Sequence, residues 1–294
     1  MSTVVTLDQL RRDLREFARL AEVDYDPTVV DPILEALEPQ WTTSLIGVRT
    51  TTHPVARREL NVRFMSSGDN PVPPLLHAGL LEFTGHPMES LLIDIPAAVP
   101  VLYGVDAGVN RGLEKIWMLP ARPFGVDEIL DLPGIPKSVH AHAGHLRAYG
   151  GEIAIVALDF RNGTVNLYSQ VLPPGRLTTA DITTILSDLG FVAATARELE
   201  LLSQTFNLYR TFSWTDPHMR RICFPVRYQA ATFPRGLDPV LDRFVAGAPY
   251  AGTGDRGFTF YAAYGPDDRY YKIQTDYTAV ATVRLPDGML PRMN

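Results

Sequence analysis

Five times along this chain a helical segment gives way to two extended segments joined by a short turn, at intervals of roughly 50 residues. That rhythm constrains the fold more than any short motif does. Extended pairs are expected at residues 44–52 and 59–66, 101–108 and 112–119, 152–160 and 164–171, 206–214 and 220–229, and 257–264 and 269–276. The opening helix is legible in Leu7, Leu10, Leu14, Phe17 and Leu20, apolar at steps of three and four, with Thr6 as N-cap. A second helix is expected over residues 27–37. Others are expected over 74–81, 86–97, 126–130, 136–149, 179–189, 195–203 and 237–246. Asn162-Gly163 is a hairpin turn signal, because both residues tolerate positive φ.

Short turns between paired strands dictate antiparallel pairing, and ten twisted strands tend to close on themselves or split. If the helices cover only one face of the sheet, closure leaves them outside and turns the other face into a lumen. The expected class is therefore α+β: a ten-stranded antiparallel β-barrel surrounded by outer α-helices in repeated ααββ units. No Pro/Gly/Ser linker divides residues 1–294, which read as one domain with a frayed tail after Val283. A ten-stranded barrel is wider than side chains alone fill, so it is expected to hold a ligand.

Composition removes several classes of function. The net charge is −6 and the pI near 5.6, so no global field favours nucleic acid or an anionic membrane. The single cysteine, Cys223, forbids an internal disulfide and fits a reducing compartment; its strand setting reads as packing. The amino-terminal residues carry charges where a signal peptide would be apolar, and no window reaches 18 uncharged apolar residues. A cytoplasmic, monomeric protein without nucleic-acid or membrane partners is expected.

Strand alternation then sorts residues by face. Lys272, Gln274 and Asp276 share one face of their strand while Tyr271 and Ile273 share the other, and Lys115 goes with Trp117. Arg49, Arg63, Lys115, Arg161, Arg221 and Lys272 come from different hairpins and are the basic members of their strands or turns. Taken singly, each is equally an exposed strand end or half of a structural ion pair. Converging in one lumen, they call for a polyanion, because burying one unpartnered charge costs several kcal/mol. A diphosphate fits, since guanidinium forks and ammonium groups both bind phosphate oxygens strongly. Asn166, Tyr168, Asn207 and Tyr209 could complete the cradle, and lumen aromatics such as Trp117 could stabilise a carbocation.

Other signals fail. Gly252, Gly254 and Gly257 match G-x-G-x-x-G but lead into a strand, which is wrong for dinucleotide binding. His140, His142 and His145 lie on an outer helix with no carboxylate in register, so no metal site is assigned to them. The aspartate-rich box of magnesium-bridged isoprenoid synthases is absent, because Asp267-Asp268 is followed by Arg269, Tyr270 and Tyr271.

The segments "GLLEFTGHPMESLL" (79–92), "GLEKIW" (112–117), "VNLY" (165–168), "RRICF" (220–224) and "YYKIQTDY" (270–277), in this order, resemble the CloQ/NphB-like aromatic prenyltransferases of the ABBA (PT-barrel) superfamily. The resemblance runs from the first helix to Tyr277. It implies transfer of a dimethylallyl or geranyl group from its diphosphate to an electron-rich aromatic small molecule. By position, Lys115, Asn166, Tyr168, Tyr209, Arg221 and Lys272 fall on the family's diphosphate-binding residues, with Arg49, Arg63 and Arg161 as extra basic contacts. Asn61 stands where some members carry a magnesium-holding aspartate, so the resemblance implies a metal-independent branch with no cofactor. Gln274 replaces a glutamate linked to acceptor activation or proton removal, and Asp276, on the same face, is a substitute base. Candidate catalytic residues are thus Asp276, Gln274 and Tyr209, and Asn61, Trp117 and Asn207 are assigned to the acceptor and prenyl pocket. The competing reading is a non-catalytic carrier of an isoprenoid or phosphorylated aromatic in the same lumen.

Overall fold

Along every long strand one set of alternate side chains is aliphatic or aromatic and the other polar or mixed. The computed structural model turns the first set outward under helices and the second inward. It describes residues 5–278, so the tail expected to fray after Val283 lies outside the described residues. The strands are β1 (Leu45–Thr51), β2 (Leu60–Ser67), β3 (Val101–Gly108), β4 (Gly112–Pro120), β5 (Phe124–Gly125), β6 (Glu152–Ile153), β7 (Ile155–Asp159), β8 (Thr164–Gln170), β9 (Asn207–Ser213), β10 (Arg221–Gln229), β11 (Gly257–Tyr264) and β12 (Arg269–Asp276). Ten of them close a barrel in the order β1-β12-β11-β10-β9-β8-β7-β4-β3-β2. All its pairings are antiparallel, and the ring closes where Gly47 faces Asp276 and Thr51 faces Lys272.

One strand departs from expectation. The extended run predicted over 152–160 breaks at Ala154: β6 leaves the barrel to pair with β5, and only β7 continues in the wall. The helix predicted over 136–149 likewise divides at His142 into Lys137–Ala141 and Ala143–Ala148, and the one predicted over 74–81 forms earlier, at Val72–His77. Elsewhere the local signals act as read. Thr6 accepts the N–H of Gln9 at 3.2 Å to cap Leu7–Ala21, and Asp26 accepts the N–H of Thr28 at 2.9 Å to cap Pro27–Ala36. Gly163 supplies the positive φ, 58°, that the β7–β8 turn needs.

The main apolar core lies between barrel and helices. Outward residues such as Val48, Phe64, Ile116, Leu167, Phe212, Phe224, Phe260 and Ile273 are buried there with Leu14, Phe17, Leu34, Ile95 and Phe244 from the helices. The first helix meets Pro239–Gly247 through Phe17 and Phe244, 5.6 Å between ring centroids, and Tyr277 donates to Asp13 at 2.6 Å. The ends of the described chain are thereby locked together. Arg210 breaks the outward pattern: fully buried, it donates to Ser169 Oγ at 2.8 Å and to the Tyr149 carbonyl, and burial lowers its pKa to about 9. Two small apolar clusters face the lumen instead, one of Trp117, Leu119, Ile155 and Ala157, the other of Cys223, Tyr261 and Ala263. Among the described residues no helix is long and apolar enough to cross a membrane.

Candidate active site

The inward faces line a cavity with about 990 Å³ of empty space, part of it open to solvent. Strand register arranges the lining by height. Near the hairpin turns of β1–β2, β3–β4 and β7–β8 lies a charged layer. Asp106 stands opposite Lys115 on β3 and β4, and Lys115 opposite Asp159 on β7. Lys115 pairs with Asp159, which also accepts the Asn162 N–H at 2.8 Å, so the Asn-Gly turn fixes the carboxylate that fixes the lysine. Asp106 Oδ2 is 3.0 Å from Arg63 Nη2 and 3.8 Å from Arg49 Nη2. Arg49 also reaches Glu59 at 3.3 Å and donates to Asn61 Oδ1 at 2.9 Å. Burial alone would raise Glu59, but the charges of Arg49 and Lys272 outweigh it and hold the carboxyl at about 2. Glu114 has the opposite balance: burial and neighbouring Asp106 and Glu59 push it up to about 7.

Two cations of this layer have no acidic partner among the described residues. Arg221 donates to the Tyr270 hydroxyl at 2.8 Å and finds no carboxylate. Lys272, 8 % exposed, lies with its Nζ 5.4 Å from the Tyr270 ring centroid, and burial followed by the charge of Arg221 drives its pKa well below the usual lysine value. Arg49 Nε, Arg63 Nε and Asn166 Nδ2 are also buried without a protein acceptor. A lumen that presents donors and positive charge in excess favours an anion with several oxygens.

The middle layer is aromatic. Tyr168 and Tyr209 stack edge to face at 4.3 Å, Tyr261 follows at 5.8 Å, and Trp117 donates to the Tyr168 hydroxyl at 3.1 Å. Arg63 lies 4.9 Å from the Trp117 ring centroid. Gln274 Oε1 accepts from Arg63 at 2.7 Å and Tyr261 at 3.1 Å, which fixes its amide. Burial raises Tyr168 to about 12 and Tyr209 well above the usual phenol, so both are hydroxyl donors at neutral pH. Beyond them, at the opposite end from the charged layer, Arg227 grips Asp276 with both terminal nitrogens and donates to Thr259 Oγ1 at 2.9 Å. Asn207 and Leu45 line the same end.

Of the residues singled out from the sequence, Arg49, Arg63, Lys115, Trp117, Asn166, Tyr168, Asn207, Tyr209, Arg221, Lys272, Gln274 and Asp276 all line this cavity. Two do not. Arg161 is exposed on the β7–β8 turn, donating to the Arg111 carbonyl at 3.3 Å beside an outer groove with Leu113 and Phe160. A turn position carries no inward alternation, so its charge escapes to solvent. Asn61 is fully buried, accepts from Arg49, and is not among the residues lining the cavity. Cys223, read as packing, is a lumen residue. The acids Glu59, Asp106 and Asp159 and the inward Arg227 had gone unread. Alternation from Arg221 along β10 points to Arg227, and the register opposite Lys115 points to Asp106 and Asp159.

Asn61 Oδ1 and Asp106 Oδ2 already face guanidinium groups, and among the described residues no cluster of three or more His, Cys, Asp or Glu could hold a metal.

Comparison with known proteins bears on this site. Residues 5–287 match the family model described as aromatic prenyltransferase Orf2. Among relatives, a flaviolin linalyltransferase of Streptomyces virginiae is 27% identical over 286 residues, covering 94% of each chain. A 5,10-dihydrophenazine-1-carboxylate 9-dimethylallyltransferase of Streptomyces anulatus is 27% identical over 282 residues, covering 93% of this chain and 94% of that one. A solved 6-dimethylallyltryptophan synthase from Micromonospora olivasterospora, in complex with DMASPP and Trp, shares the fold with a TM-score of 0.55 at 15% identity, over 93% of this chain and 98% of that one.

Proposed function

The chain belongs to the aromatic prenyltransferase Orf2 family and is a transferase of prenyl groups to aromatic acceptors, and we propose that it takes a dimethylallyl or geranyl group from its diphosphate without a metal ion. The observation that carries the donor assignment is the pair Arg221, partly buried, and Lys272, buried, cations that lack an acid among the described residues in a lumen rich in unpaired donors. A prenyl diphosphate supplies the missing charge and leaves its hydrocarbon against the Trp117, Tyr168 and Tyr209 layer.

In the reaction, the allylic C–O bond breaks heterolytically and its electron pair goes to the diphosphate. Arg221, Lys272 and Lys115 lower the barrier by stabilising charge that grows on the leaving oxygen. Aromatic faces around the allyl fragment stabilise its cation, and a wall of side chains keeps out the water that would quench it. The arene's π electrons form the new C–C bond, and loss of the ring proton restores aromaticity. Asp276 lines the cavity at the end away from the charged layer, where the acceptor would lie, which makes it the candidate proton acceptor; Gln274, an amide, orients Arg63 and Tyr261 instead.

Incubation with dimethylallyl or geranyl diphosphate and a panel of phenols, indoles and phenazines tests this reading by mass spectrometry. The expected product carries one added prenyl group, and a carrier would bind these compounds without forming it. EDTA is expected to leave the rate unchanged; loss with EDTA and rescue by magnesium would sink the metal-free reading. Donor affinity is also expected to depend on pH. Because the Lys272 pKa is lowered, its ammonium is present at low pH and lost as pH rises through that value, so the donor dissociation constant should rise on the alkaline side. Lys272→Arg, charged throughout, should flatten that limb in a titration with inorganic pyrophosphate.

A further inference from the structure

Resting on the transferase reading above, we propose that the Arg227–Asp276 ion pair is the acceptor-recognition element of the lumen, and that it selects uncharged arenes bearing a hydroxyl or ring N–H over carboxylated ones. The two ends of β12 separate the two substrates. Lys272 and Asp276 share the inward face four residues apart, roughly 13 Å along an extended strand, so the diphosphate cations and this pair cannot serve one small anion.

The chemistry of the far end is set by three observations. First, its lumen cation is already neutralised: Arg227 binds both oxygens of Asp276, and each side chain is at most 5 % exposed. An acceptor carboxylate would have to displace Asp276 or lie against it, and like charges at close quarters in a desolvated site are strongly unfavourable. Secondly, the free valences there are acceptors. Each Asp276 oxygen keeps a second lone pair, and Asn207 Oδ1, on a residue 4 % exposed in all, is buried with no donor among the described residues. They suit an O–H or N–H. Thirdly, the wall is cleared for the pair. A Cβ on Gly257 would meet both Arg227 Nη2 and Asp276 Oδ2 well inside contact distance, so the pair occupies the space of a missing side chain. Leu45 on the neighbouring strand β1, Met65 on β2 and Ile155 on β7 add apolar lining to the cavity for the edge of a flat ring system. Arg227 here is a positioning residue: it aims Asp276 and offsets part of the burial that raises the pKa of that carboxyl.

Equilibrium binding of a dihydroxynaphthalene and of the corresponding hydroxynaphthoate, with inorganic pyrophosphate present, tests the proposal. Wild type should bind the neutral arene at least roughly tenfold more tightly, the scale of one unfavourable contact deliberately placed against a competitor. Asp276→Asn leaves Arg227 as a bare cation and should reverse the preference. The double variant R227Q/D276N, which is neutral and similar in shape, should remove it. Equal or tighter binding of the hydroxynaphthoate by wild type overturns the proposal, as does a ratio unmoved in a folded Asp276→Asn protein. The wild-type ratio decides the matter even where a variant fails to fold. Prenyl transfer scored in parallel wild-type samples, with dimethylallyl or geranyl diphosphate in place of pyrophosphate, reports separately on the transferase reading, so the two failures are distinguishable.

Discussion

Arg221→Ala is expected to lower kcat/KM for the prenyl diphosphate by about 10²–10³-fold, the cost of losing one preorganised group aimed at developing negative charge. Most of that loss should fall on kcat, because charge on the bridging oxygen grows as the C–O bond breaks, and an interaction that strengthens in the transition state acts there. Arg221 has no carboxylate partner among the described residues, so its removal strands no buried acid there. The variant should therefore melt no lower than wild type, and Arg221→Lys should recover part of the rate by restoring a point charge without the fork. Steady-state kinetics with a saturating acceptor check this. A rate within threefold of wild type would place Arg221 outside the ionisation step.

Asp106→Ala should do the reverse, damaging stability before chemistry. Asp106 is fully buried between Arg63 and Arg49, and truncating it leaves two guanidinium groups facing each other in the charged layer. Breaking a buried pair by removing one partner costs about 3–5 kcal/mol. In a domain of this size that is roughly 10 °C in melting temperature. Ligand linkage adds a second signature: an anion that binds the folded variant supplies the charge it lacks. Pyrophosphate should consequently raise the melting temperature of Asp106→Ala more than that of wild type. A variant as stable as wild type would mean that Glu59 alone satisfies Arg49.

The barrel and most of its lining were legible in the sequence because strand periodicity is a local property. Side chains two residues apart share a face whatever the rest of the chain does, so Lys272, Gln274 and Asp276 could be aligned before any tertiary contact was known. The ion-pair partners were less accessible. Lys115 and Asp159 are 44 positions apart and meet through strand register, which depends on the number of residues in each loop and on bulges such as the one beside Asp106. Arg161 lies outside the lining for a related reason: the alternation rule ends where the strand does. The break at Ala154 was invisible because a two-residue strand is held by its partner, β5, and has no periodicity of its own.

Closure of the ring by β1 against β12 has a consequence for how the protein comes into being. On the ribosome, β1 emerges with one edge unsatisfied and waits for more than two hundred residues of chain before its last neighbour arrives. Until then there is no enclosed space, Lys272 has not been synthesised, and nascent chain has little to hold a prenyl diphosphate. Competence should thus arrive late and in one step, and contacts of such long sequence separation predict slow folding. An exposed early edge also makes the unfinished β1–β2 hairpin the place where chaperones, or a neighbouring copy of the same hairpin, would first take hold.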